Sequence, residues 1–237
     1  MEWDDEAVVL SVRRHGENAG IAGLLTRGHG RHAGLVHGAS SKANRGVLQP
    51  GNQVRAAWRG RLAEQLGTLR LELVHAHAGG VLDDPARLAA LSSACALAEL
   101  ALPEHQSHPA SYAALTALLH ALAADSWPSV YVHWELALLR DIGFGLDLTA
   151  CAVTGETADL GFVSPRTGRA VSRVAAGPWK ERLLPLPRFL VEGGEGDAAA
   201  ILDGLALAGY FLDRHVLAAH HAAMPAARLR LVDRLRN

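Results

Sequence analysis

Thirteen histidines and two cysteines are the residues of this 237-residue chain best suited to metal or nucleophilic chemistry, so their spacing comes first. His215, His220 and His221 are the tightest group in sequence. Ligand pairs on a helix sit at i, i+4, whereas these offsets turn the rings apart by more than about 100°. His75 and His77 share one face of a strand with no third ligand in view, and His105 and His108 flank a loop; both pairs are expected to be solvated. Cys95 and Cys151 are too few for a disulfide framework or a cysteine zinc site and are expected to be small buried residues. No G-x-S-x-G elbow, Walker A loop or helix-opening G-x-G-x-x-G occurs, and Gly193-Gly194-Glu195-Gly196 lacks both the spacing and a preceding strand. The expectation is a protein that is not an enzyme and has no metal or cofactor; a metal hydrolase built on the histidines is disfavoured.

The basic residues point to a different chemistry. Arg13, Arg14, Arg27, Arg31, Lys42, Arg45, Arg55, Arg59 and Arg61 fall on strand ends, loops and the outward face of the strand carrying Trp58. Guanidinium forks so placed can grip successive phosphates and release counterions. The same residues would also make an unliganded solvated face, and charge by itself does not choose between the two. Trp3 and Trp58 are the only aromatics in the first 80 residues, so binding there should lean on phosphates and be blind to sequence.

The net charge of −1 conceals this sorting. Residues 1–10 carry four acids and no base, and 11–70 carry ten Lys/Arg against Glu17 and Glu64. Residues 71–159 carry Arg87 and Arg140 against eleven acids, and 160–190 carry six bases against Glu181. A basic N-terminal third is thus joined to an acidic middle.

Two kinds of element must position these residues. Val54, Ala56 and Trp58 alternate with Gln53, Arg55 and Arg59, and Leu69, Leu71 and Leu73 with Arg70 and Glu72, the period of half-buried strands. Glu6 to Arg13, Ile21 to Arg27 and His32 to His37 are further short strand-like runs. Five such strands bury a core only by closing, which predicts a small barrel over residues 1–80. The period then turns helical. Asp84 and Pro85 open a helix with Leu88, Leu91, Cys95, Ala98 and Leu102 inward, and Pro109 opens a second with Tyr112, Leu115, Leu119 and Leu122 inward. A third begins near Pro128, buries Tyr131, Trp134, Leu138 and Ile142, and stops at Gly143. These three are expected to pack together. Residues 145–173 read as an irregular insertion with one hairpin, Asp197 caps a long helix, and Pro225 starts a basic last one. The apolar runs fall short of a membrane span and the acidic start is unlike a secretory signal, so the expected location is the cytoplasm, with no membrane partner.

Taken in order along the chain, several segments resemble the bacterial recombination mediator family RecO. They are Trp3 through Ser11, Leu25-Thr26-Arg27-Gly28-His29-Gly30-Arg31, Gly38-Ala39, Leu48-Gln49-Pro50-Gly51, Ala90-Leu91-Ser92-Ser93-Ala94-Cys95-Ala96-Leu97, Trp134-Glu135-Leu136-Ala137-Leu138-Leu139 and Gly143-Phe144-Gly145-Leu146-Asp147-Leu148. The resemblance implies an α+β chain: an N-terminal OB-fold β-barrel (1–80), then an α-helical domain (81–237) with a zinc-ribbon-like insertion at 146–175. It further implies a nucleoid-associated, non-enzymatic role in the RecF pathway. That role is binding single- and double-stranded DNA, annealing strands coated by single-strand binding protein, and helping load RecA together with RecR. The alternative is an RNA-binding OB-fold protein. Two departures stand out. Many relatives hold zinc with two Cys-x-x-Cys pairs, but Cys151 is followed at that spacing by Thr154, and Gly168 to Ser172 supply no cysteine, so zinc is expected to be absent. The loop after Gly38-Ala39, often strongly basic in relatives, reads Ser40-Ser41-Lys42-Ala43-Asn44-Arg45, which shifts the expected grip toward Arg55, Arg59 and Arg61.

Overall fold

A computed structural model describes residues 1–62 and 65–237. The five β-compatible runs form β1 (Glu2–His15), β2 (Ala19–Thr26), β3 (Arg31–His37), β4 (Gln53–Arg59) and β5 (Gly67–His75), with α1 (Lys42–Val47) between β3 and β4. They close into a barrel in the order β1-β2-β3-β5-β4. β1 serves two partners: its first half pairs with β4 from Glu2↔Arg59 to Val8↔Gln53, and its second half with β2 from Ala7↔Thr26 to His15↔Ala19. A register shift between Val9 and Ser11 bends the strand from one partner to the other.

The period of two holds inside the barrel, where Ala7, Val9, Ala22, Leu24, Val36, Val54, Ala56, Trp58 and Leu69 form one core. Closure depends on a parallel contact between β3 and β5, Gly34↔Gly67. A Cβ on Gly67 would lie 2.3 Å from the Trp58 indole, and one on Gly34 would lie 2.5 Å from Leu69. Two residues without side chains therefore let the seam close over the largest core side chain. The Trp58 Nε1 donates to the Ala33 carbonyl at 3.2 Å, so the indole is buried with its polar atom satisfied.

Past β5 come α2 (His77–Gly80), α3 (Pro85–Ala101) and α4 (Pro109–Ala121). Asp84 caps α3 as expected, its Oδ1 accepting from the Ala86 and Arg87 amides at 2.9 and 3.0 Å. Cys95 on α3 is buried against β1, and burial, with the Glu99 carboxylate adding to it, pushes its thiol up to about 12. The chain forms two compact units, Met1–Ala123 with Pro225–Leu231, and Ala124–Met224 with Val232–Asn237. Of the three helices expected to pack together, the first two lie in the first unit and the third, from Trp127, lies in the second. α3 buries its apolar face on β1 and β2, and α4 packs on β1.

In the second unit α5 (Trp127–Asp141) packs on α8 (Ala198–Leu212). The insertion contains the expected hairpin, β6 (Leu160–Val163) and β7 (Ala170–Ser172), and adds β8 (Leu184–Pro185) as a third strand beside β6. Between β7 and β8 lie α6 (Arg173–Ala176) and a 3-10 turn (Gly177–Arg182), and α7 (Phe189–Glu192) follows. α8 continues through a π-helical turn (Asp213–Leu217) into α9 (Ala218–His220), and α10 (Ala226–Arg236) ends the chain.

At Cys151 one thiol faces hydroxyls rather than further sulfurs. The Ser172 amide donates to its sulfur at 3.3 Å. Burial alone raises this thiol, but hydrogen bonds from Thr154 and Ser172 outweigh burial and bring it down to about 6. One thiol with two hydroxyls does not fit a structural zinc site, which takes four sulfur or imidazole ligands.

Trp58→Ala should destabilise the first unit by about 3–5 kcal/mol, the cost of emptying an aromatic core site, and Gly67→Ala should also lower its urea midpoint. Midpoints equal to that of the unaltered protein would show that closure does not depend on this seam.

Candidate nucleic-acid interface

The structure sorts the nine predicted cations into two settings. On the outer face of the barrel, the antiparallel register lays the acidic start of β1 beside β4. Arg55 Nε lies 2.6 Å from Asp4, Arg59 lies 3.1 Å from Glu2, and Arg27 lies 3.7 Å from Glu6. These pairs are exposed and contribute little to stability, but they cancel charge where a phosphate would otherwise bind. Arg31 is held more tightly, donating from Nε to the Leu102 carbonyl at 2.8 Å and pairing with Glu104 at 3.1 Å, with its side chain 21% exposed. The sequence does carry a signal for this pairing: Glu2, Asp4 and Glu6 recur every second residue, as do Arg55, Ala57 and Arg59. Matched period-two runs of opposite sign are a cross-strand complement.

The second setting is the other end of β1. Arg13, Arg14, Lys42 and Arg45 are exposed, and among the described residues none has a carboxylate partner. Arg61 is likewise exposed and has no carboxylate partner among the described residues. Arg14 and Arg45 line one hollow of about 380 Å³, with Val12, Ala19, Gly20, Ala39 and Ser40 as its walls. The loop that presents Lys42 and Arg45 is clamped. The Ala39 amide donates to the Asn18 carbonyl at 3.0 Å, Ser40 Oγ donates to Asn18 Oδ1 at 2.9 Å, and Asn44 Nδ2 donates to the Gly38 carbonyl at 3.0 Å. Ser41 caps α1 by accepting from the Asn44 amide at 3.2 Å. A β-hairpin tip and a capped turn thus hold Arg14 and Arg45 around a concave surface, with Arg13 and Lys42 exposed beside them in sequence, a geometry suited to a phosphate backbone.

Neither N-terminal tryptophan is free to stack a base. Trp58 is in the core, and Trp3 is stacked between it, at 5.7 Å, and His29, at 4.7 Å. His29 is tied in turn to Asp5, 2.9 Å away, whose carboxyl also accepts from the Gly28 amide at 2.8 Å.

The histidines depart from expectation in two places. His77 is buried at the start of α2, not solvated on a strand, with its ring 4.1 Å from that of His75 and 4.6 Å from that of His120. His108 is buried as the N-cap residue of α4, because the chain turns there to bring α4 onto β1. His215 stacks on Phe144 at 4.4 Å. Among the described residues no group of three His, Cys, Asp or Glu is placed to hold a metal ion, and no helix is long and apolar enough to cross a membrane. His32 and His77 are buried neutral. Burial, with His105 and His29 adding repulsion, lowers His32 to about 4, and burial, with His75 and His120 adding, lowers His77 to about 4.

Comparison with known proteins covers the whole chain. Residues 1–77 match the family model "Recombination protein O N terminal" and residues 82–223 match "Recombination protein O C terminal". The DNA repair protein RecO of Rhodospirillum centenum is 59% identical over 238 residues, covering 100% of this chain and 95% of that relative. That of Rhodospirillum rubrum is 51% identical over 244 residues, covering 100% and 97%. That of Granulibacter bethesdensis is 47% identical over 239 residues, covering 99% and 96%.

The buried imidazoles make stability depend on pH with a definite sign. A histidine at about 4 when folded and about 6.5 when unfolded takes up a proton on unfolding between those values. Stability should therefore be fully present above about 6.5 and fall as pH drops toward 4, and His32→Gln and His77→Gln should each flatten that fall in urea titrations. A slope that neither substitution changes would contradict the burial of these rings as neutral groups.

Proposed function

The chain belongs to the RecO family of DNA repair proteins, and from that premise we propose that it is a non-enzymatic recombination mediator. In this reading it holds the phosphate backbone of single- and double-stranded DNA and anneals complementary strands coated by single-strand binding protein. With RecR it helps load RecA, acting in the cytoplasm at the nucleoid. The observation that carries the reading is the hollow lined by Arg14 and Arg45 at the hairpin end of the barrel, with Arg13 and Lys42 exposed beside them in sequence; among the described residues none of the four has a carboxylate partner.

Annealing needs no bond chemistry. Two strands repel through their phosphates, and a surface that neutralises several of them lowers that barrier while releasing counterions. A hydrogen-bonded loop is the better device, because a backbone held by the Asn18, Asn44 and Ser41 hydrogen bonds loses less entropy on binding than a mobile one. On this reading Arg55 and Arg59 contribute less than the hairpin end, since any phosphate must compete with Glu2 and Asp4 for them.

Removing charge at Arg14 and Arg45 together should weaken binding to all DNA sequences alike and shallow the salt dependence by about one unit per lost contact. Removing charge at Arg55 and Arg59 should change it less. The measurement is affinity for labelled oligonucleotides across a salt series, with matched RNA strands in parallel. An unchanged slope in the Arg14/Arg45 variant would overturn the assignment, and a marked preference for RNA would favour the 2′-hydroxyl reader instead.

A further inference from the structure

The basic stretch at 160–190 plays no part in the reading above, and its cations divide as those of the barrel do. Arg169, Arg173 and Arg188 are paired with Asp147, Asp159 and Glu192 at 3.3, 3.3 and 2.9 Å. Arg166, Lys180 and Arg182 are exposed without a carboxylate partner among the described residues. Two of these three flank an unusual aromatic. Of five tryptophans, Trp58, Trp127 and Trp134 are at most 6% exposed, whereas Trp179 is 58% exposed. Val174 nearby in sequence is 85% exposed.

Local structure places the indole there. Ser172 caps α6 by accepting from the Ala175 amide, and Ala176 is buried. Gly177 then takes a φ of +39°, a conformation costly for a residue with a Cβ, and turns the chain outward. Pro178 follows as the second residue of the 3-10 turn, in which residues three apart eclipse. Trp179 and Arg182 accordingly share a side, with the guanidinium 5.4 Å from the indole centroid. Beyond the turn Leu184–Pro185 pairs with β6, so the protruding segment is anchored at both ends.

An exposed indole beside two unpaired cations matches the parts of a single-stranded nucleic acid: a base face to stack on the ring and flanking phosphates for the cations. In a duplex every base face is already covered by its neighbours. A lipid surface would call for a broader apolar face than Trp179 and Val174 supply. We infer that Trp179, Lys180 and Arg182 form a second nucleic-acid contact, selective for unpaired strands, in which one base stacks on the indole. The inference rests on the reading of the chain as a DNA-binding protein, and it supplies the base stacking that the barrel lacks.

The test uses the full-length protein, an oligothymidylate and a long blunt-ended duplex. Binding is followed by anisotropy of the labelled DNA and by tryptophan emission. Oligothymidylate should quench the emission, and Trp179→Ala should abolish most of the quench and weaken single-strand affinity on the order of tenfold while leaving duplex affinity in place. Trp179→Phe, which keeps a stacking ring, should retain most of the affinity. Circular dichroism checks that both variants fold, as expected at so exposed a site. Unchanged single-strand affinity in Trp179→Ala overturns the inference, and so does an equal loss for single strand and duplex. The Arg14/Arg45 variant separates this failure from failure of the DNA reading: if it still weakens binding, only the inference at Trp179 falls. Tryptophan emission that responds to anionic phospholipid vesicles but not to oligothymidylate would overturn the inference in favour of a membrane contact.

Discussion

Trp58, 1% exposed and hydrogen-bonded to the Ala33 carbonyl, fills the space that five short strands enclose, and the seam over it closes because Gly34 and Gly67 present no side chains. Most of what the first unit does follows from that closure. A sheet left open would expose two edges and could not bury Ala7, Val9, Leu24 and Val54 on one inner face. Once the barrel is closed, β1 must serve β4 with its first half and β2 with its second, and each half carries a different electrostatic assignment.

The first half of β1 brings Glu2, Asp4 and Glu6 to the barrel's outer face, where Arg55, Arg59 and Arg27 meet them. The second half brings Arg13 and Arg14 to a hairpin end, where Arg14 shares a hollow with Arg45 and, among the described residues, none of these cations is ion-paired. One bent strand thus separates a neutralised face from a cationic one. Charge counted along the sequence treats all nine cations alike, whereas their tertiary neighbours distinguish them. The same distinction recurs at 160–190, where short-range ion pairs occupy Arg169, Arg173 and Arg188 and spare Lys180 and Arg182.

Much of the architecture was legible in advance because it depends on local physics. Asp84 before Pro85, Pro109 and Asp197 mark helix starts through capping and the missing proline N–H, and α3, α4 and α8 begin there. The alternation around Trp58 reproduces β4 from Gln53 to Arg59. The short α1 is not announced by any period, because a six-residue helix with no buried residue leaves no hydrophobic stripe to read. The burial of His77 and His108, and the packing of α5 on α8, depend on which faces meet across the chain.

The sequence by itself determined the kind and order of the main elements, the closed barrel followed by helices, and which basic residues are candidates for a phosphate contact. Periodicity, caps and charge are properties of neighbours along the chain, and the resemblance to RecO read from ordered segments is borne out over the full length. Tertiary structure alone decided which cations are available. An arginine's capacity to grip a phosphate depends on what lies within about 4 Å of its guanidinium, and for Arg31, Arg55 and Arg59 that neighbour comes from a residue distant in sequence, Glu104, Asp4 or Glu2.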